Sequence, residues 1–253
     1  MKSVDNLASG DHARIRVVLD QEPLDKRLLP FVVPLLEFDE LREAASRAIS
    51  GLAGLAVGQL SDNLLDQTLP AKVRHRIPAL LAGLGGQRAV RALTEGLLAT
   101  EFALRESSAR ALLGLRRRDP SWRPPEGLVM TVVRRELETR AGLARPQAGE
   151  TDSKDELPKI NAPSANRMVR HVFTLLALAL DPEAVELSLR ALGASDAKLR
   201  STALEYLENV LPSELRAELW PHLTDHRTVT QRRVQPRSSQ ELAAELKRSF
   251  SGD

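Results

Sequence analysis

The strongest constraint on this chain is an apolar spacing that recurs six times after an arginine. With that arginine at zero, apolar residues stand at minus 1 and at plus 3, 6, 7 and 10. Around Arg42 they are Leu41, Ala45, Ala48, Ile49 and Leu52; around Arg74 they are Val73, Ile77, Leu80, Leu81 and Leu84. Arg105 has Leu104, Ala111, Leu112 and Leu115, with Ser108 in the remaining slot, and Arg134 has Val133, Leu137, Ala141 and Ala144, with Arg140 in the other. Arg170 brings Val169, Phe173, Leu176, Ala177 and Leu180, and Arg200 brings Leu199, Ala203, Tyr206, Leu207 and Val210. In all, 28 of 30 slots are apolar, where a composition that is 42% apolar would fill about 13. These offsets trace one stripe on a 3.6-residue helix, so the chain carries six amphipathic helices. The arginines follow one another at 32, 31, 29, 36 and 30 residues, which is the period of a helical hairpin stacked on its neighbours.

The composition points the same way. A chain of 253 residues with this apolar content can bury a continuous core. Aromatics make up only 3%, which suits layers of helices packed by Leu, Ala and Val better than a sheet. The expected fold is therefore all-α, a right-handed α-solenoid of about five to six helical hairpins. No cysteine is present, which excludes disulfides, thiolate metal sites and a cysteine nucleophile. The first twenty residues lack the apolar core of a signal peptide, and the longest apolar stretch, near Val172 to Leu180, is about half a membrane span. The expected location is cytoplasmic, with any membrane association made through a partner. Basic and acidic residues number 36 and 34, so nucleic-acid binding would need a local patch.

Along the chain, residues 1–23 read as an irregular N-terminal cap with a short helix over Ile15 to Leu19. Residues 24–144 form one run of helical repeats. Leu24 to Glu37 would be a bent outer helix holding Pro30 and Pro34, Asp39 an N-cap, and Gln59 to Gln67 a short outer helix. Residues 145–166 have almost no periodicity and read as a mobile loop, and 167–223 continue the same array. The tail, 224–253, carries four arginines and no acid between His226 and Arg237. It ends in Ser238 to Phe250, where Ser238 and Glu241 have capping-box spacing and Leu242, Leu246 and Phe250 share a face.

Chemical motifs are sparse. His222 and His226 come closest to metal-ligand spacing, but they lie in the tail with Asp225 as the one adjacent carboxylate. Gly83 to Gly86 lacks the third glycine of a dinucleotide loop and follows a helix, so it reads as a helix stop. Neither a Gly-x-Ser-x-Gly nor a Walker-type loop occurs. No catalytic residue, cofactor or metal ligand is assigned. The recurrent Arg42, Arg74, Arg105, Arg170 and Arg200 face the unfavourable end of their own helix dipoles, so they read as structural residues paired with acidic turn residues such as Asp39 or Asp196. Gly51, Gly83 and Gly114, at plus 9, read as points of close helix packing. The positions expected to be exposed along the second helices are Arg47, Arg76, Glu106, Arg110, Glu205 and Glu208. With Arg232 and Arg233 of the tail they make a mixed-sign surface suited to a protein partner.

The residue pairs Leu41-Arg42, Val73-Arg74, Leu104-Arg105, Val169-Arg170 and Leu199-Arg200, each opening a second helix after a turn, resemble the HEAT-repeat family. A narrower resemblance runs through Val172 to Leu176 and Thr202 to Pro212, which are similar to the HEAT region behind the membrane part of some bacterial transporters of the nucleotide-exchange or major-facilitator type. The resemblance implies a non-catalytic scaffold that binds protein, as a soluble or regulatory part of such a system. HEAT folds of two other kinds supply the alternatives: a nucleic-acid-binding protein like the alkylpurine DNA glycosylases, and a lyase-type protein acting on a chromophore or another small molecule.

Overall fold

The computed structural model describes residues 2–21, 24–143, 163–223 and 237–250. Among them all regular structure is helical, with fourteen α-helices and no strand. They gather into two compact units, Met1–Pro124 and Pro125–Asp253. The division falls at adjacent prolines, which supply no N–H groups to continue a helix.

In the first unit, α1 (Lys2–Leu7) and α2 (His12–Leu19) lead into a segment broken by proline: a 3-10 turn at Lys26–Leu28, α3 (Leu29–Val32) and a second 3-10 turn at Val33–Glu37. The single bent helix expected over Leu24 to Glu37 is therefore three short pieces. Pro30 and Pro34 each sit in the first turn of a new piece, where the missing N–H costs nothing. Then come α4 (Asp39–Gly51), α5 (Gly54–Leu64), α6 (Ala71–Leu84), α7 (Gly86–Gly96) and α8 (Phe102–Arg118). Helices α4, α6 and α8 pack in one row; α5 and α7 pack on each other, and each packs on the helix that follows it.

The stripe accounts for the row. Leu41, Ala45, Ile49, Val73, Ile77, Leu81, Leu104, Leu112 and Leu115 are all buried. Helix α5 starts earlier than the expected Gln59, with only two residues between it and the end of α4. The reversal is made at Ala53, whose φ of 46° is unusual for a residue with a Cβ. Gly85 ends α6 at φ 73°, and a Cβ there would also stand 3.0 Å from the Trp122 ring.

Ser108, the polar exception in the stripe, is buried because α7 comes close. A Cβ on Gly96 would lie 2.4 Å from the Ser108 hydroxyl oxygen and 3.3 Å from Leu64, so the slot takes a small residue. Gly51, Gly83 and Gly114 behave differently from the expected packing role: a Cβ on any of them meets nothing within 4 Å. Gly96→Ala should therefore cost about 1 to 3 kcal/mol through overpacking, whereas Gly114→Ala should gain up to about 1 kcal/mol from helix propensity. Thermal melts of the two variants check this, and a destabilised Gly114→Ala would show that this face is packed.

The second unit comprises α9 (Glu126–Leu143), α10 (Pro163–Ala179), α11 (Pro182–Leu192), α12 (Ala197–Val210), α13 (Ser213–Leu219) with a 3-10 turn at Trp220–His222, and α14 (Ser239–Phe250). The start of α10 at Pro163 corrects the end of the expected 145–166 loop, because proline is well tolerated in a first helical turn. Residues 144–162 lie outside the described residues. Helices α9, α10, α11 and α12 pack successively, α13 packs on α9, and α14 packs on both α11 and α12. Asp181 and Asp196 cap α11 and α12, each accepting two backbone N–H bonds. No helix among the described residues is long and apolar enough to cross a membrane.

Candidate interaction surface

Three of the six arginines of the repeat are committed to the turns that precede their helices. Arg74 donates to the Leu69 carbonyl, Arg105 to the Ala99 and Thr100 carbonyls, and Arg200 to that of Ala194. Each guanidinium curls back five or six residues, away from the positive end of its own helix. Arg74 also has the acidic partner expected for this position, bonding Glu101 at 2.6 Å in the turn before α8. His75 Nε2 meets the other oxygen of that carboxylate at 2.9 Å. The Glu101 carboxyl is held below the usual carboxylate range, first by the hydrogen bond from Arg74 and then by the one from His75. Arg42 is exposed. The carbonyls that it would reach by the same geometry, Leu36 and Glu37, accept from Arg76.

Arg76, expected on the exposed partner surface, is thus a link between α6 and the turn before α4, and its side chain is only 19% exposed. It also pairs with Asp39, which Lys72 meets at 2.9 Å. Asp39 is the first residue of α4 and not its cap. Phe38 holds the cap position without a side-chain bond. Hydrogen bonds from Lys72 and Arg76 lower the Asp39 carboxyl to about 2. Because the folded-state value lies below the unfolded one, the stability it adds is present above about pH 4 and is lost as pH falls toward 2. Asp39→Asn should flatten the acid side of the stability profile in that window. Urea midpoints at pH 5 and pH 2.5 measure it, and an unchanged slope would refute the assignment.

The other expected partner residues are divided between the two units. Arg47 on α4 and Arg110 on α8 are largely exposed, with long pairs to Asp20 at 3.6 Å and Glu106 at 3.7 Å. Glu106 is half-buried, against expectation. In the second unit Glu208 is exposed, 3.9 Å from Arg216. Arg232 and Arg233 lie outside the described residues, as does His226.

Glu205 is covered by the chain's own C-terminal segment. Arg237 pairs with Glu205 and, at 2.6 Å, with Glu245, while its backbone oxygen accepts from Asn209 at 2.8 Å. The capping box forms as its spacing requires: Glu241 N–H donates to the Ser238 hydroxyl, and Ser238 N–H to the Glu241 carboxylate. Leu242 and Leu246 are fully buried. At the far end Lys247 reaches Glu183 at 2.7 Å and Asp181 at 3.3 Å, and the Arg190 guanidinium lies 4.4 Å from the Phe250 ring centroid. The Glu183 hydrogen bond raises the Lys247 ammonium above its ordinary value. Nearby, burial and the Asp181 charge push the phenol of Tyr206 up to about 12. The helix and its apolar face are legible in sequence, but the acidic sites that receive it are distant along the chain and carry no motif.

A comparison with protein-family models finds no match, and a comparison with curated proteins finds no relative.

Proposed function

We propose that this chain is a HEAT-like helical-repeat scaffold that binds another protein along the row of α4, α6 and α8. The observation that carries this reading is the state of that row. At the same position of each helix stands a glycine, Gly51, Gly83 and Gly114, with open space where its Cβ would be. Gly83 and Gly114 lie within helices, where the residue costs up to about 1 kcal/mol relative to alanine. No packing inside the unit offsets that cost. Arg47 and Arg110 flank the row with weak, exposed pairs that a partner's carboxylates can outcompete.

The test is capture from cytosolic and membrane extracts of the cell that makes this protein, using the full chain and the double variant Gly83→Glu/Gly114→Glu. A partner identified by mass spectrometry and lost with the double variant supports the reading; equal capture by both removes it. One observation favours nucleic acid as a second reading. Residues 67–124 hold eleven Lys and Arg against four Asp and Glu. Duplex binding that falls steeply between two salt concentrations would establish it.

A further inference from the structure

We propose that the face of α11 and α12 is a helix-binding seat held in this structure by the chain's own α14, and that its other occupant is an amphipathic partner helix of the same design. That design is two leucines four residues apart with a cation at each end. This inference adds a second surface to the scaffold reading and rests on it only for the idea that the chain binds protein.

The seat itself specifies the ligand. Along the described contacts Glu205 lies beneath Arg237 at one end and Asp181 and Glu183 beneath Lys247 at the other, while the seat's cations Lys198 and Arg190 meet Glu245 and the Phe250 ring. Between these ends the buried contribution from α14 comes from Leu242 and Leu246. A helix with acidic ends would meet like charge at both rims, whereas one with basic ends reproduces the seated arrangement.

Several features make α14 displaceable. It is twelve residues long, and a helix of that length is marginal in water without tertiary support. The ion pair at its C-terminal end is at the surface, where the Lys247 side chain is 36% exposed and that of Glu183 is 64%. Such pairs contribute little and are screened by salt. Because α14 belongs to the same chain, it competes for the seat as an intramolecular ligand, and a partner helix replaces it only by binding the seat more tightly than α14 does.

The experiment uses the full chain and a fluorescent peptide with the sequence of residues 237–250. In the variant Leu242→Asp/Leu246→Asp the internal helix can no longer seat, and the peptide should bind saturably. Binding to the wild-type chain should be roughly tenfold weaker or more, because α14 competes. A peptide carrying Arg237→Glu and Lys247→Glu should not bind either protein. Equal affinity for wild type and variant overturns the proposal. So does failure to bind a variant that keeps its helical circular dichroism and its melting transition. If the aspartates unfold the second unit, the full-chain variant Arg237→Glu/Lys247→Glu, which buries no new charge, takes its place and must show the same gain in peptide binding. If the wild-type chain dimerises and Leu242→Asp/Leu246→Asp abolishes the dimer, the occupant is a second copy and the partner-helix proposal falls. Neither variant touches the α4, α6 and α8 row, so equal capture by the full chain and its Gly83→Glu/Gly114→Glu variant, alongside peptide binding as expected here, would refute the first surface and leave this one.

Discussion

Leu112→Ala should destabilise the first unit by about 2 to 5 kcal/mol, the range for a leucine whose removal leaves a cavity in a packed core. Leu112 is fully buried on α8, the helix that packs against both α6 and α7. Its slot, plus 7 from Arg105, is filled in the other helices of this row by Ile49 and Leu81, which are also fully buried. Collapse around the missing methyl groups would have to move two neighbouring helices at once, which favours the upper part of the range. The control is Leu55→Ala, at a leucine 66% exposed, expected to change stability by less than about 0.5 kcal/mol. Each unit contains one tryptophan, Trp122 in the first and Trp220 in the second. Urea unfolding of single-tryptophan chains therefore assigns the loss to its unit. Equal effects of the two substitutions would refute the stripe as the core.

Burial on one face decides which helices are readable in the sequence. Helices α4, α6, α8 and α12 each bury one stripe and leave the rest to solvent, so a 3.6-residue period appears directly in the sequence. The start of α5 carries no such signal. Its reversal is made by Ala53 at positive φ, a conformation normally announced by glycine or asparagine. Over Leu24 to Glu37 the apolar residues were visible, but the prolines start new turns there and do not bend one continuous helix.

Roles assigned to surface residues depended on contacts that no local spacing records. Arg76 looked solvent-facing within α6, yet it satisfies carbonyls in a turn some forty residues earlier. Carbonyls occur at every residue, so nothing in the sequence marked Leu36 and Glu37 as needing a donor. The glycine column erred in the opposite sense. Glycine on a helix suggests close approach, and Gly96 shows it, but Gly51, Gly83 and Gly114 stand open. The capping box of α14 was fully legible because all of its atoms come from residues three apart.

Helix α10 carries a buried polar contact within its apolar face. Val172 to Leu180 is too short to span a membrane; it belongs to a helix whose one polar face, with Arg167, Arg170 and Thr174, stays out of the core while its other side is buried. Val169, His171, Val172, Phe173, Leu175, Leu176, Ala177 and Leu178 are all buried. Among them His171 Nε2 lies 3.6 Å from Glu136 Oε1 on α9, with side-chain exposures of 0% and 1%. Two ionisable groups this close and this dry stabilise each other's presence more than they stabilise the fold. His171→Leu should therefore cost about 1 to 3 kcal/mol, because it takes from the buried Glu136 carboxyl one of its polar neighbours. Adding Glu136→Leu should recover most of that loss, since an apolar pair of similar volume needs no compensation. Urea unfolding followed at Trp220, run as a double-mutant cycle, measures the coupling. Simple additivity of the two changes would show that the two groups act independently, whereas recovery in the double variant would identify the pair as a constraint on how α9 and α10 align.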